Sequence, residues 1–95
     1  MKSAYELAME RLAAKEPAVQ LDDNQKRRIA DIEAKCKADI AAKELLLRGE
    51  MEKARAAGEH DQVEQLQKQL ASEIRRFEER RDREKTSIRG EAESR

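Results

Sequence analysis

Apolar residues recur at helical spacings along two long stretches of the chain. Ile29, Ile32, Cys36, Ile40, Leu47, Met51 and Ala54 fall on one line, and Val63, Leu66, Ile74, Phe77 and Ile88 fall on a second. A 3.6-residue turn brings such positions to one face, so both stretches read as amphipathic α-helices. The repeat is eleven rather than seven: Ile29, Ile40 and Met51 are eleven apart, as are Val63 and Ile74, and Leu66, Phe77 and Ile88. Eleven residues over three turns give 3.67 per turn, which predicts helices that lie nearly straight or cross with a slight right-handed twist.

Capping signals divide the chain into three helices. Ser3 with Glu6, Asp22 with Gln25 and Asp61 with Glu64 each have the spacing of a capping box, in which a side chain and an amide three residues apart satisfy each other. The first helix, within residues 1–15, places Tyr5, Ala8, Met9 and Leu12 on one face. It must stop near Lys15, because Pro17 lacks an amide proton and pushes Glu16 out of the helical region. Residues 16–22 form a linker. The second helix is expected over 23–57, a turn over 58–61, the third helix over 62–89 and a frayed tail over 90–95. Gly58 suits the left-handed position that closes a helix, and so short a connection folds the two long helices back as an antiparallel hairpin.

Folding about Gly58 and Glu59 sets the register. Ala54 meets Val63, Met51 meets Leu66, Leu47 meets Leu70, Ile40 meets Phe77 and Ile29 meets Ile88. Farther from the tip, Lys43 and Arg81 also fall on the seam, Arg81 facing Cys36, and both must lay their stems on it while lifting their charges into water. Acid-first pairs four apart line the remaining surface: Asp22/Lys26, Asp23/Arg27, Asp31/Lys35, Glu33/Lys37, Asp39/Lys43, Glu44/Arg48, Glu64/Lys68 and Glu79/Arg83.

One seam over two long helices is thin support for so much ordered chain. A second face of the second helix, with Ala30, Ala34, Ala38, Ala41 and Leu45, can receive another helix at close range. The candidates are the N-terminal helix, through Tyr5, Met9 and Leu12, and a second copy of the chain. Leu7 and Leu46 stay apolar outside both faces and favour a homodimer. The interaction residues expected are therefore Tyr5, Leu7, Met9, Leu12, Ala34, Ala41, Leu45 and Leu46.

Composition sharpens this all-α reading. Charged residues make up 44% of the 95 positions and only Tyr5 and Phe77 are aromatic, so no thick globular core can form. Twenty-one basic residues balance twenty-one acidic ones, leaving no net field toward nucleic acid or an anionic membrane. The opening "MKSAYELAMERL" lacks a signal peptide's apolar run, and no stretch approaches the ~20 apolar residues of a membrane span, so a cytoplasmic protein is expected. With Cys36 alone, neither an internal disulfide nor a multi-cysteine metal site can form. On the seam its thiol serves as a small hydrophobe.

The remaining chemistry sits at the two ends of the hairpin. At the tip, Glu59, His60 and Asp61 lack the converging partners that a metal or acid–base site needs, so no metal, cofactor or catalytic residue is expected. At the open end, "IRRFEERRDREK" with Lys26, Arg27, Arg28 and Arg89 gathers cations, but Glu78, Glu79, Asp82 and Glu84 interrupt them and Phe77 belongs to the seam. A salt-bridged face is expected there rather than a nucleic-acid site.

The tip segment "ARAAGEHDQVEQ" resembles the tip of the N-terminal helical hairpin in Gre transcript-cleavage factors. In that family a glycine is followed by an acid, with a second acid three residues later, and the pair helps hold a magnesium ion in the secondary channel of RNA polymerase. Glu59 matches the first acid; Gln62 stands at the second and supplies no carboxylate. Residues 2 to 12, "KSAYELAMERL", with "EKARAAG" and "VEQLQKQLASE", are also similar to a group of small bacterial proteins of uncharacterised function, which implies a bacterial cytoplasmic protein. The expected function is a non-enzymatic, self-associating structural or protein-interaction module. The alternative is a polymerase- or ribosome-associated regulator acting through the tip or the basic open end.

Overall fold

A computed structural model describes residues 3–7 and 20–94. The rest of the first predicted helix, including Met9 and Leu12, and most of the linker lie outside the described residues. Residues 4–7 are helical (α1). Ser3 Oγ accepts from the Glu6 amide at 3.2 Å, and Ser3 O accepts from Leu7 N at 3.1 Å, so Ser3 opens this helix as expected. Two long helices follow, α2 over Asp23–Ala56 and α3 over His60–Glu93, each of 34 residues and about 51 Å long at 1.5 Å per residue. They pack on each other as the predicted all-α antiparallel hairpin, and there is no strand among the described residues.

Both ends of α2 follow from local sequence. Asp22 Oδ1 accepts from the Gln25 amide at 2.7 Å while Gln25 Oε1 accepts from the Asp22 amide at 3.1 Å, which satisfies two donors that the first turn cannot use itself. At the other end Gly58 takes φ +74°, its amide donates to Arg55 O at 3.1 Å, and the Glu59 amide donates to Ala54 O at 2.9 Å. These two bonds form a Schellman motif, which needs a left-handed residue at the position of Gly58.

Two predicted boundaries of the third helix change. α3 starts at His60, not Gln62, with Glu59 at the N-cap and no side-chain cap bond there. The Schellman turn already delivers Glu59 in line with α3, and Glu59 O accepts from Val63 N at 3.1 Å. Asp61 is thus a residue of the first turn and caps nothing; its charge there complements the positive end of the helix dipole. At the far end α3 runs through Gly90 to Glu93, because Arg28 on α2 holds Glu91 by two hydrogen bonds of 2.8 and 3.2 Å. A bidentate pair in the last turn keeps it against its neighbour.

Near the tip, Leu47, Met51, Ala54 and Leu66 are buried together, with Val63 and Leu70 packed against them, which is the register expected from folding about the turn. Toward the open end the seam thins. Cys36 is buried and its Sγ donates to Phe77 O at 3.6 Å, Ile88 is buried, and Ile29, Ile32, Ile40, Ile74 and Phe77 are half-buried. Lys43 and Arg81 are also half-buried, as cations lying along an apolar seam must be.

Candidate interaction surfaces

The expected interaction residues separate into distinct places. Tyr5 and Leu7 on α1 are 73% and 46% exposed. Leu45, 79% exposed, shares the outer side of α2 with Ala34 and Ala41, both exposed. Leu46, 56% exposed, lies about 100° around the helix from Leu45. It lines a shallow open groove beside α3 with Ala42, Lys43, Phe77 and Arg80. Leu45 thus points outward from the hairpin, while Leu46 points toward the groove beside α3.

The floor of that groove contains contacts the sequence reading missed. Arg80 Nη2 donates to Asp39 Oδ2 at 2.6 Å, and the guanidinium carbon sits 5.5 Å from the centroid of the Phe77 ring. A cation over an aromatic face is attracted by the ring quadrupole. The i, i+3 spacing of Phe77 and Arg80 is the signal that could have found it.

The charged surface is organised across the hairpin as much as along each helix. Lys85 Nζ donates to Glu33 Oε1 at 2.6 Å, so Glu33 and Asp39 both reach the opposite helix instead of their expected partners Lys37 and Lys43. Of the four-apart pairs expected, Glu44–Arg48 at 4.0 Å and Glu64–Lys68 at 3.6 Å come within ion-pair distance. From the middle of the hairpin to its open end, four cations pair with acids: Arg28 with Glu91, Arg80 with Asp39 and Glu84, Arg81 with Asp82 and Glu78, and Lys85 with Glu33. The hydrogen bond from Lys85, and then its charge, hold the Glu33 carboxyl below its ordinary value. Arg81 does the same for Asp82, while Glu91 raises Arg28 and Asp82 raises Arg81.

At the tip, Glu59, His60 and Asp61 are exposed and, with Gly58 and Gln62, line an open surface. Neither carboxylate serves a helix cap. Among the described residues there is no group of three His, Cys, Asp or Glu side chains placed to hold a metal ion. No described helix is long and apolar enough to cross a membrane. Comparison with protein-family models, with curated proteins and with solved structures finds no match to the chain.

Proposed function

We propose that this protein is a non-enzymatic structural or interaction module whose hairpins associate with one another through their exposed apolar side chains, in a cytoplasmic and bacterial setting. The observation that carries this reading is Leu45, 79% exposed on an α-helix whose other side is already used by the seam. Among the described residues the buried apolar set is Cys36, Leu47, Met51, Ala54, Leu66 and Ile88, so covering the exposed outer face would add burial. Light scattering on a size-exclusion column, in reductant and over a concentration series, tests it. A mass of twice 11.0 kDa is expected; 11.0 kDa at every concentration would overturn it.

A second reading, in which the tip acts on RNA polymerase or the ribosome, is favoured by one observation. Glu59 makes no side-chain cap bond and Asp61 is not the N-cap, so the turn does not occupy their carboxylates. Replacing both by alanine should abolish binding to polymerase or ribosome if the tip acts there, and should leave self-association unchanged.

A further inference from the structure

On the side of α2 facing away from the Cys36–Leu47–Met51 seam, a heptad continues without interruption. Its four central positions are Ala34, Ala38, Ala41 and Leu45, at spacings of four, three and four, and all are exposed. The same spacing extends outward to Asp31 and Arg27 on one side and to Arg48 and Glu52 on the other, also exposed. The line covers about 38 Å of helix.

We infer that this face receives a second copy of the chain, α2 against α2 antiparallel, with the two-fold axis between Ala38 and Ala41; the inference rests on the self-association proposed above. An antiparallel pair sets each position of one helix against a fixed position of the other. With the axis at that point Ala38 meets the partner's Ala41, and Leu45 meets the partner's Ala34. In the next layers out, Asp31 meets the partner's Arg48 and Glu52 meets the partner's Arg27. Every charged layer is an acid–base pair, and the small central layers admit the close helix approach that seats Leu45. On the flank, Lys37 falls beside the partner's Glu44.

The opposite orientation fails on the same residues. A parallel in-register pair would set Arg27, Asp31, Arg48 and Glu52 each against its own copy, and like charges in direct opposition are destabilising. The seam does not ask for this pattern, because these charged residues lie outside it; within the helix they take part only in exposed local pairs. Within one chain Arg48 reaches Glu44 only at 4.0 Å, and Glu52 pairs with Arg55 three residues on, in an exposed contact. Both contacts are solvent-exposed, so pairing across the dimer exchanges one exposed ion pair for another.

The test uses the full chain. A spin label on Lys53→Cys, in a Cys36→Ala background, reads the separation of the two copies by dipolar spectroscopy. Position 53 is exposed and off the heptad line; the antiparallel dimer puts its two copies about 40 Å apart along the axis, and a parallel one puts them side by side. Independently, Asp31→Arg should raise the dimer dissociation constant at least about tenfold by facing the partner's Arg48. Arg48→Asp should do the same, and the two together should restore association. Helicity should be unchanged throughout, since both positions are exposed. A dimer with a short label distance, or one indifferent to both charge reversals, overturns this geometry and leaves self-association standing. A monomer at every concentration overturns both.

Discussion

Asp39 on α2 and Arg80 on α3 are joined by a 2.6 Å hydrogen bond that crosses the hairpin midway between the tip and the open end. The same guanidinium lies over Phe77, so one side chain ties a carboxylate on the facing helix to an aromatic ring on its own. A lysine can supply the charge but not the planar fork or the stacking. Arg80→Lys should therefore lower stability by about 0.5–1 kcal/mol in urea unfolding. A cycle with Asp39→Ala should give a coupling that shrinks in high salt; a coupling of zero at low salt would remove Arg80 as a cross-hairpin tie.

Leu47 is 2% exposed and sits among Met51, Ala54 and Leu66, whereas Leu45 is 79% exposed. The two differ by two positions in sequence and by nearly the whole effect of burial. Leu47→Ala should cost about 2–3 kcal/mol, the lower part of the range for core leucines, because a two-helix seam can relax around the gap. In the monomer, Leu45→Ala should change stability by less than about 0.5 kcal/mol. Chemical denaturation below the association concentration separates the two.

Two glycines make a controlled pair. A Cβ at Gly58 would meet nothing within 4 Å, yet its φ of +74° is strained for any residue with a side chain, so Gly58→Ala should cost about 1–2 kcal/mol through the backbone alone. A Cβ at Gly49 also meets nothing within 4 Å, but Gly49 lies inside α2. Gly49→Ala should raise stability by about 0.5–1 kcal/mol. Melting temperatures of the two variants should move in opposite directions.

These contrasts show which features are local enough to be read from sequence. The Asp22–Gln25 box, the left-handed Gly58 and the register from Ala54–Val63 to Leu47–Leu70 are decided within a few residues or by periodicity, and the structure contains them. Asp61 and Glu64 have capping-box spacing, yet the Schellman bonds of Gly58 and Glu59 settle where α3 begins and leave Asp61 inside its first turn. The extension of α3 to Glu93 depends on Arg28, sixty-three residues away from Glu91. Glu33 and Asp39 likewise have a suitable cation four residues on, and only the distance to Lys85 and Arg80 decides for the other helix. A single sequence ranks local partners before distant ones, so cross-hairpin pairs are the class it misses.

Acid should open the hairpin from its far end. Glu33 is held below the ordinary glutamate value by the hydrogen bond and charge of Lys85. A carboxyl whose value is lower folded than unfolded stabilises the fold fully above the unfolded value, about 4.3 for glutamate, and loses that contribution as pH falls through the lower folded value. The Asp82 carboxyl, lowered by Arg81, follows the same sign, whereas Arg28 and Arg81 are raised and stay charged throughout this range. Neutralising Glu33 releases a contact between the helices; neutralising Asp82 releases one between neighbours on α3, so of these two carboxyls Glu33 is the one whose protonation opens the hairpin. Hydrogen exchange between pH 6 and pH 3, corrected for intrinsic rates, should show protection falling around Ile32 and Ile88 before it falls around Leu47 and Leu66, whose burial involves no titrating group. Glu33→Gln should already show the weakened open end at pH 6 and a flatter pH dependence; a variant that tracks the parent at every pH would assign the acid sensitivity to other carboxylates.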